Sequence, residues 1–256
     1  MRKLQLLFLL VLLLFSGCRD ENPVDPNEES IDVIMPLKVG NLWTYVDSTF
    51  DKNGALVFVD SIKLGVTGKT NINYEGENIE LFYWSWIIGK TGTPYGYHRL
   101  ARNEIDGLSF FGERILDENF VQGKSLEIKY PVAVGDTWEV EFFLSSSEDS
   151  SFSTGNSVFV TCKSINEKFL TNLGEMECYV YLFQKSRNNE EDSFSLYFNK
   201  NLGYVGGFSG VNETGKSKRT LKSFASNGLF KAGYNASYFQ PNINKNKNYR
   251  SAFGIK

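Results

Sequence analysis

The chain contains 256 residues and carries a formal net charge of −3 at pH 7. A mildly acidic chain lacks the basic surface that attracts nucleic acid, so no nucleic-acid partner is expected. A single histidine argues against metal centres and acid–base catalysis built on several histidines. Phe, Tyr and Gly are frequent whereas Pro is scarce, which favours strands joined by tight turns.

Residues 1–17 predict an export signal. Arg2-Lys3 precedes an apolar run from Leu6 to Phe15, which is too short to cross a bilayer as a helix. Ser16-Gly17 then supplies the small residues that a signal peptidase needs before its cleavage site, and Cys18 follows directly.

Ser16-Gly17-Cys18 resembles the lipobox of bacterial lipoproteins, whose cysteine is diacylated and becomes the new N-terminus, although Phe15 stands where Leu is usual. The resemblance implies acyl chains such as palmitate on Cys18. It also implies an outer-membrane lipoprotein of the bacterial cell envelope that faces the periplasm or the cell surface. Two or three chains hold a protein in a bilayer without a transmembrane helix. The alternative is an ordinary secretory signal that ends by chance at a cysteine.

Residues 18–33 predict a lipidated acidic linker. Prolines and carboxylates dominate the segment and almost nothing in it is apolar, so it cannot bury enough surface to fold. Asp20 and Glu21, directly after the cysteine, resemble the surface-export signals of Bacteroidota lipoproteins. A solvated acidic linker explains the same two residues equally well.

Residues 34–225 predict a β domain made of two sequence repeats, about 36–130 and 131–225. Pro36–Tyr45 and Pro131–Val140 share a Pro, an apolar residue, a Val-Gly pair, then Asn or Asp, and a Trp three residues after the Gly. This self-similarity favours duplication over chance.

In both segments the Gly-Asn or Gly-Asp pair predicts a turn with positive φ. Trp43 and Trp138 then begin alternating strands and are expected to be equivalent core anchors. The Pro-x-x-x-Gly-[Asn/Asp]-x-Trp pattern resembles uncharacterised envelope lipoproteins common in Bacteroidota. That resemblance implies a location and no reaction.

The remaining alternating segments predict about a dozen short strands and no helix. Asp51-Lys52-Asn53-Gly54 predicts a hairpin turn rather than a calcium loop, because the later acidic ligands are missing. The fold class is therefore all-β, an antiparallel sandwich or a curved, partly closed sheet in which the repeats share one core. Two tandem domains remain the alternative. The predicted strands after the first turn are Leu56–Ile62, Ile79–Ile88, Tyr95–Arg102, Leu108–Phe111, Leu126–Tyr130, Val158–Ile165, Met176–Gln184, Phe194–Phe198, Tyr204–Phe208 and Thr220–Phe224.

Cys162 and Cys178 predict a disulfide within one hairpin, since an exported chain folds in an oxidising compartment. If the two cysteines face each other, Val160 faces Val180 and Val158 faces Leu182, so one register satisfies every apolar residue. The alternative is two buried free thiols. Metal ligation is not expected, because two sulfurs without nearby histidine cannot complete a tetrahedral site.

Trp84 and Trp86 share one face of a predicted strand with Phe82. Such a row can bind sugar rings as a ligand platform, although aromatic rows more often belong to a core. The single histidine, His98, is expected to be a strand residue at a sheet edge. No Gly-x-Ser-x-Gly elbow accompanies it, so no catalytic residue, metal ligand or cofactor is predicted.

Residues 226–256 predict a basic, Asn-rich, mobile tail, which could alternatively touch anionic lipid or polysaccharide. The leading hypothesis is a non-enzymatic, lipid-anchored envelope protein that binds or scaffolds an envelope protein or polysaccharide. A carbohydrate-binding module and a carrier of an apolar ligand are the alternatives. The first requires exposed, flat rings at Trp84 and Trp86, and the second an apolar cavity between the halves.

Overall fold

Antiparallel strands make up most of the computed structural model, which describes residues 32–88, 93–115, 118–144, 153–184, 193–212 and 215–226. Within these ranges there is no helix. The predicted all-β antiparallel class is therefore confirmed. The strands are β1 (Leu42–Phe50), β2 (Leu56–Tyr74), β3 (Glu77–Ile88), β4 (Thr93–Glu104), β5 (Gly107–Ile115), β6 (Glu118–Lys129), β7 (Thr137–Leu144), β8 (Ser153–Thr171), β9 (Gly174–Gln184), β10 (Phe194–Asn199), β11 (Gly203–Asn212) and β12 (Gly215–Ala225).

One sheet contains all twelve strands, in the order β6-β5-β4-β3-β2-β1-β12-β11-β10-β9-β8-β7. Strands β1 to β6 form one meander and β7 to β12 form a second, and pairing of β1 with β12 joins the two. The edge strands approach each other where the indole N–H of Trp138 on β7 donates to the carbonyl of Leu126 on β6, at 3.1 Å. The sheet is thus the curved, nearly closed form, with both meanders in one continuous ladder.

The two segments that carry the predicted repeat adopt the same local structure. Gly40 and Gly135 have φ values of 96° and 92°, as the turn prediction requires. In the first segment, Val66 exchanges backbone hydrogen bonds with Gly40 and Asn41, and Cys162 does the same with Gly135 and Asp136 in the second. The local match is an observation, whereas the origin of the halves by duplication stays a prediction.

One hydrophobic cluster takes side chains from both meanders and fills the interior of the sheet. Trp43 and Tyr45 on β1 are fully buried, and so are Tyr181 on β9 and Phe198 on β10. Trp138 packs against the same cluster but is only partly buried. A second, smaller cluster lies on the other face of β3, β4 and β5. It contains Ile79, Leu81, Leu100 and Phe111.

The segment before β1, which we call the plug (residues 32–35), packs against strand connections of both meanders. Ile34 and Met35 are fully buried. The Asp32 carboxylate accepts hydrogen bonds from Tyr130 of the first half at 2.9 Å and from Lys200 of the second at 2.7 Å. Asp32 therefore takes part in the packed structure, although it falls inside the stretch predicted as linker.

Candidate functional site

Trp84 and Trp86, the predicted platform residues, point towards the interior of the sheet. Strand alternation places them on the same face of β3 as Phe82, and all three pack against the main core. Both tryptophans are partly buried, so each keeps some accessible surface. They form the centre of a group of inward-facing side chains that we call the tryptophan strip. Its members are Asp47, Trp84, Trp86, Arg99, Phe110, Glu127 and Arg219.

One end of the tryptophan strip is an ion pair between Arg99 on β4 and Glu127 on β6. The guanidinium binds both carboxylate oxygens, with one N–O distance of 3.0 Å. It also lies over the Phe110 ring, 3.6 Å from the centroid, and Phe110 stacks on Trp84 with centroids 5.4 Å apart. The Trp84 indole N–H is buried and has no hydrogen-bond acceptor within the part of the chain that the structure describes.

The other end is an ion pair between Arg219 on β12 and Asp47 on β1. Its two hydrogen bonds measure 2.6 and 2.7 Å, and the guanidinium lies 5.1 Å from the Trp86 ring centroid. Burial alone lowers the pKa of Arg219, but Tyr204 and the Asp47 carboxylate outweigh it and raise that pKa. Burial also raises the pKa of Tyr45 on β1 well above its usual value.

The tryptophan strip can bind by stacking and hydrogen bonding. Bidentate pairs fix each guanidinium plane, and a fixed guanidinium beside an indole is a rigid polar and aromatic surface. Such surfaces recognise planar or polyhydroxylated groups rather than transfer protons, because arginine does not deprotonate. No group of three or more His, Cys, Asp or Glu side chains that could hold a metal occurs among the described residues.

His98 is not at a sheet edge, which corrects the sequence prediction. Strand β4 lies between β3 and β5, because the sheet continues on both sides of it. The imidazole is buried, and its Nδ1 lies 2.5 Å from Oγ of Ser85, whose hydroxyl is 2.7 Å from that of Thr67. This polar group lies on the face opposite the tryptophan strip, so the two do not form one site.

The predicted disulfide between Cys162 and Cys178 is wrong, because both cysteines are free and buried. Cys162 lies opposite Tyr181 on β9, whereas Cys178 lies opposite Glu167 on β8. Three positions along β9 separate Tyr181 from Cys178, or about 10 Å, and an odd separation places the two thiols on opposite faces of the sheet. A disulfide requires Cα atoms within roughly 7 Å.

The turn between β8 and β9 explains the register. Leu173 N–H donates to the Thr171 hydroxyl at 3.1 Å, and that hydroxyl donates to the Gly174 carbonyl at 2.9 Å. Gly174 takes a φ of 113°. This tight turn pairs Thr171 with Gly174. Two bulges further along β8 shift the register, so that Val160 lies opposite Phe183 instead of Val180. Alternation alone cannot detect either bulge.

The sequence analysis did not single out the four charged residues of the tryptophan strip, which are Arg99, Glu127, Asp47 and Arg219. One signal was available, since a charged residue at an inward position of an alternating strand must find a partner when it is buried. The partners are 28 and 172 residues apart, and only the sheet order brings them together.

Cys18, the proposed lipid site, lies outside the described residues, as do the signal peptide, most of the linker and almost all of the tail. Within the described ranges, no helix has the length and apolar character needed to cross a membrane.

No protein-family model matches the chain, and no curated protein matches it. Two of the solved structures that are similar to this chain have low sequence identity to it. One, from Bacteroides fragilis, is provisionally described as an exported protein with a YmcC-like fold; its identity is 12% and its TM-score 0.39, over 75% of this chain and 98% of that chain. The other, from Parabacteroides distasonis, is provisionally described as a lipoprotein; its identity is 14% and its TM-score 0.34, over 77% and 100%. Similarity this low supports no inference about fold or function.

Proposed function

We propose that the chain is a non-enzymatic protein of the bacterial cell envelope, anchored in the outer membrane through Cys18, that binds or scaffolds an envelope component. One observation carries this proposal. The described domain is one continuous sheet, and the plug at its start is held to both meanders through Asp32. A tethered rigid body is suited to holding a surface at a set distance from a membrane.

The packing of the interior favours a scaffold over a carrier of an apolar ligand. A carrier needs an apolar cavity between the halves. Here aromatic rings of the second meander contact one another in the interior, and one further contact joins Tyr204 on β11 to Tyr45 on β1, with centroids about 5 to 6 Å apart. The rings run from Trp138 through Tyr181, Phe198 and Tyr204 to Tyr45.

Metabolic labelling with a palmitate analogue tests the anchor. Wild-type protein and a Cys178→Ser variant should both incorporate the label and sediment with membranes, because Cys178 is buried inside the folded domain. Cys18→Ser should lose the label and leave the membrane fraction. Equal labelling of Cys18→Ser and wild type would overturn the assignment.

A second candidate is carbohydrate binding through the tryptophan strip. Trp84 and Trp86 keep accessible surface beside two oriented guanidinium groups, and binding sites combine aromatic walls with a few fixed polar groups. Titration of the protein with soluble envelope polysaccharide, followed by tryptophan fluorescence and calorimetry, tests this candidate. Trp86→Ala should abolish the heat of binding while the fold persists by circular dichroism. Unchanged binding by Trp86→Ala would exclude the strip as the site.

A further inference from the structure

The two meanders present different walls to the interior at matching positions of the sheet. Val66 and Cys162 make equivalent backbone bonds to the turns before β1 and β7, so they mark corresponding rows of residues in the two halves. In the first meander the row continues through Trp84, Arg99 and Glu113, each opposite the residue before it. This wall therefore combines an indole with two charged groups.

The corresponding positions on β9 to β11 are uncharged. The row there continues through Tyr181, Leu196 and Gly207. Leu196 thus takes the place of Arg99, and Gly207 takes the place of Glu113. The second meander forms the same ladder without charge at these positions, and a buried ion pair is weak evidence for a role in stability. The asymmetry points to ligand recognition as the role of the charges.

Carboxylates outnumber guanidinium groups around the tryptophan strip. Residues directly opposite each other in a ladder share one face of the sheet, so Glu113 lies on the face of Arg99, and Asp60 on the face of Asp47. Together with the two ion pairs, these residues make two guanidinium groups and four carboxylates. The residues are Arg99, Arg219, Asp47, Asp60, Glu113 and Glu127. A ligand that brings further negative charge is therefore repelled.

The bidentate side of each guanidinium is already occupied. Asp47 accepts from Nε and Nη2 of Arg219 at 2.6 and 2.7 Å, and Glu127 accepts from both Nη atoms of Arg99. A carboxylate or phosphate on a ligand would have to displace one of these acids. The displaced acid would then be left without its partner, which is costly in a partly buried site.

A hydroxyl group fits the same surroundings, because it both donates and accepts hydrogen bonds. Carboxylate oxygens only accept, whereas the Trp84 indole N–H only donates and has no acceptor among the described residues. The rings of Trp84 and Trp86 supply the apolar surface on which a sugar can lie. Solvent reaches the strip, since the side chains of Asp47 and Arg99 are 27% and 22% exposed.

We propose that the tryptophan strip selects uncharged, polyhydroxylated ligands, namely neutral glycans, and rejects acidic ones. The inference rests on the carbohydrate-binding candidate described above and adds the charge class of the ligand to it. Selection comes from the two ion pairs, because each carboxylate blocks the guanidinium that would otherwise bind an acidic sugar.

Calorimetry with the full-length, detergent-extracted protein tests the selection. Soluble envelope polysaccharide is first separated by anion exchange into a neutral and an acidic fraction. The neutral fraction should bind, and the acidic fraction should bind at least about tenfold more weakly, because like charges then face each other. Equal or tighter binding of the acidic fraction would overturn the charge selection and leave the strip as a glycan site. Binding of neither fraction would overturn both.

Removal of one carboxylate tests the cause of the selection. Glu127→Gln keeps the shape of the side chain but frees the bidentate side of Arg99, so the affinity for the acidic fraction should rise about tenfold. Glu139→Gln is the matched control, because Glu139 is exposed on the outer face of β7 and should leave the acidic fraction rejected. Asp47→Asn makes the same test at Arg219, and circular dichroism verifies that each variant is folded. Folded Glu127→Gln and Asp47→Asn variants that both reject the acidic fraction as the wild type does would overturn the role of the ion pairs.

Discussion

Trp43 on β1 donates its indole N–H to the carbonyl oxygen of Leu202, which is 159 positions later in the chain, at 2.6 Å. Leu202 lies in the connection between β10 and β11, so the first strand of one meander is held by a turn of the other. The Tyr45 hydroxyl makes the equivalent long-range bond to the Tyr204 carbonyl at 2.9 Å. These bonds, with the pairing of β1 and β12, tie the stability of each half to the other.

Trp43→Ala should therefore melt the whole domain at a lower temperature in a single transition. Loss of a fully buried Trp costs about 3–5 kcal/mol, which is a large share of the 5–15 kcal/mol or so that stabilises a typical domain. Trp138→Ala should cost less, because Trp138 is only partly buried. Calorimetry distinguishes one transition from two, and a first half that still melts at its original temperature in Trp138→Ala would show independent halves.

The plug should make stability depend on pH at both extremes. The hydrogen bonds from Lys200 and Tyr130 lower the pKa of Asp32. The stability that the ionised Asp32 contributes to the folded protein is therefore present above the unfolded pKa of about 4. That contribution is lost as the pH falls through the lower folded value. Burial, with the hydrogen bond to Asp32, raises the pKa of Tyr130 to about 12. The contribution of Tyr130 is present below about pH 10 and is lost as the pH rises through 12.

Thermal melts of Asp32→Asn and Tyr130→Phe across this range separate the two effects. Asp32→Asn should weaken the loss of stability in acid, and Tyr130→Phe should weaken the loss in alkali. Melting curves for both variants that run parallel to the wild type at every pH would contradict the assignment.

The thiols of Cys162 and Cys178 should be inert in the folded protein. Burial raises the pKa of Cys178 to about 12 and also raises the pKa of Cys162, and the thiolate is the reactive form. Iodoacetamide should leave both cysteines unmodified in the native protein and modify both after denaturation without reductant, as mass spectrometry would show. A denatured, unreduced protein that takes up no label at either position would indicate a disulfide instead.

Two glycines with positive φ should respond differently to alanine. At Gly206 (φ 151°) an added Cβ would meet the Arg219 carbonyl and lie 2.8 Å from the Phe169 ring, whereas at Gly54 (φ 82°) it would meet nothing. Gly54→Ala should cost about 1 kcal/mol of strain. Gly206→Ala adds overpacking and should cost about 3 kcal/mol. Denaturant unfolding measures both, and equal costs would contradict the close contact.

Alternation and turn residues were enough to predict the strands near the core, where one face is apolar. The ends of β2 and β8 escaped prediction because their side chains there are mostly polar and exposed, as at Lys69 and Lys168. Long strands of this kind are held by their neighbours in the sheet, and that information is not local.

The tryptophan strip shows the same limit for a site. The alternation of Trp84 and Trp86 is visible in the sequence, so their common face could be predicted. Their ionic neighbours come from the pairing of β1 with β12 and from the order of β3 to β6. No local sequence pattern determines which strands become neighbours in the sheet.

The plug also determines how the molecule bears mechanical load. A pulling force applied before Asp32 is first resisted by the hydrogen bonds of Asp32 to two partners on separate strand connections. It is next resisted by the packing of the fully buried Ile34 and Met35 and by the hydrogen bond that the Met35 carbonyl accepts from Asn103 at 2.7 Å. Only after these yield does the pull reach the backbone ladder of β1. A pulling force on the N-terminus is therefore shared between both meanders before any strand separates from the sheet.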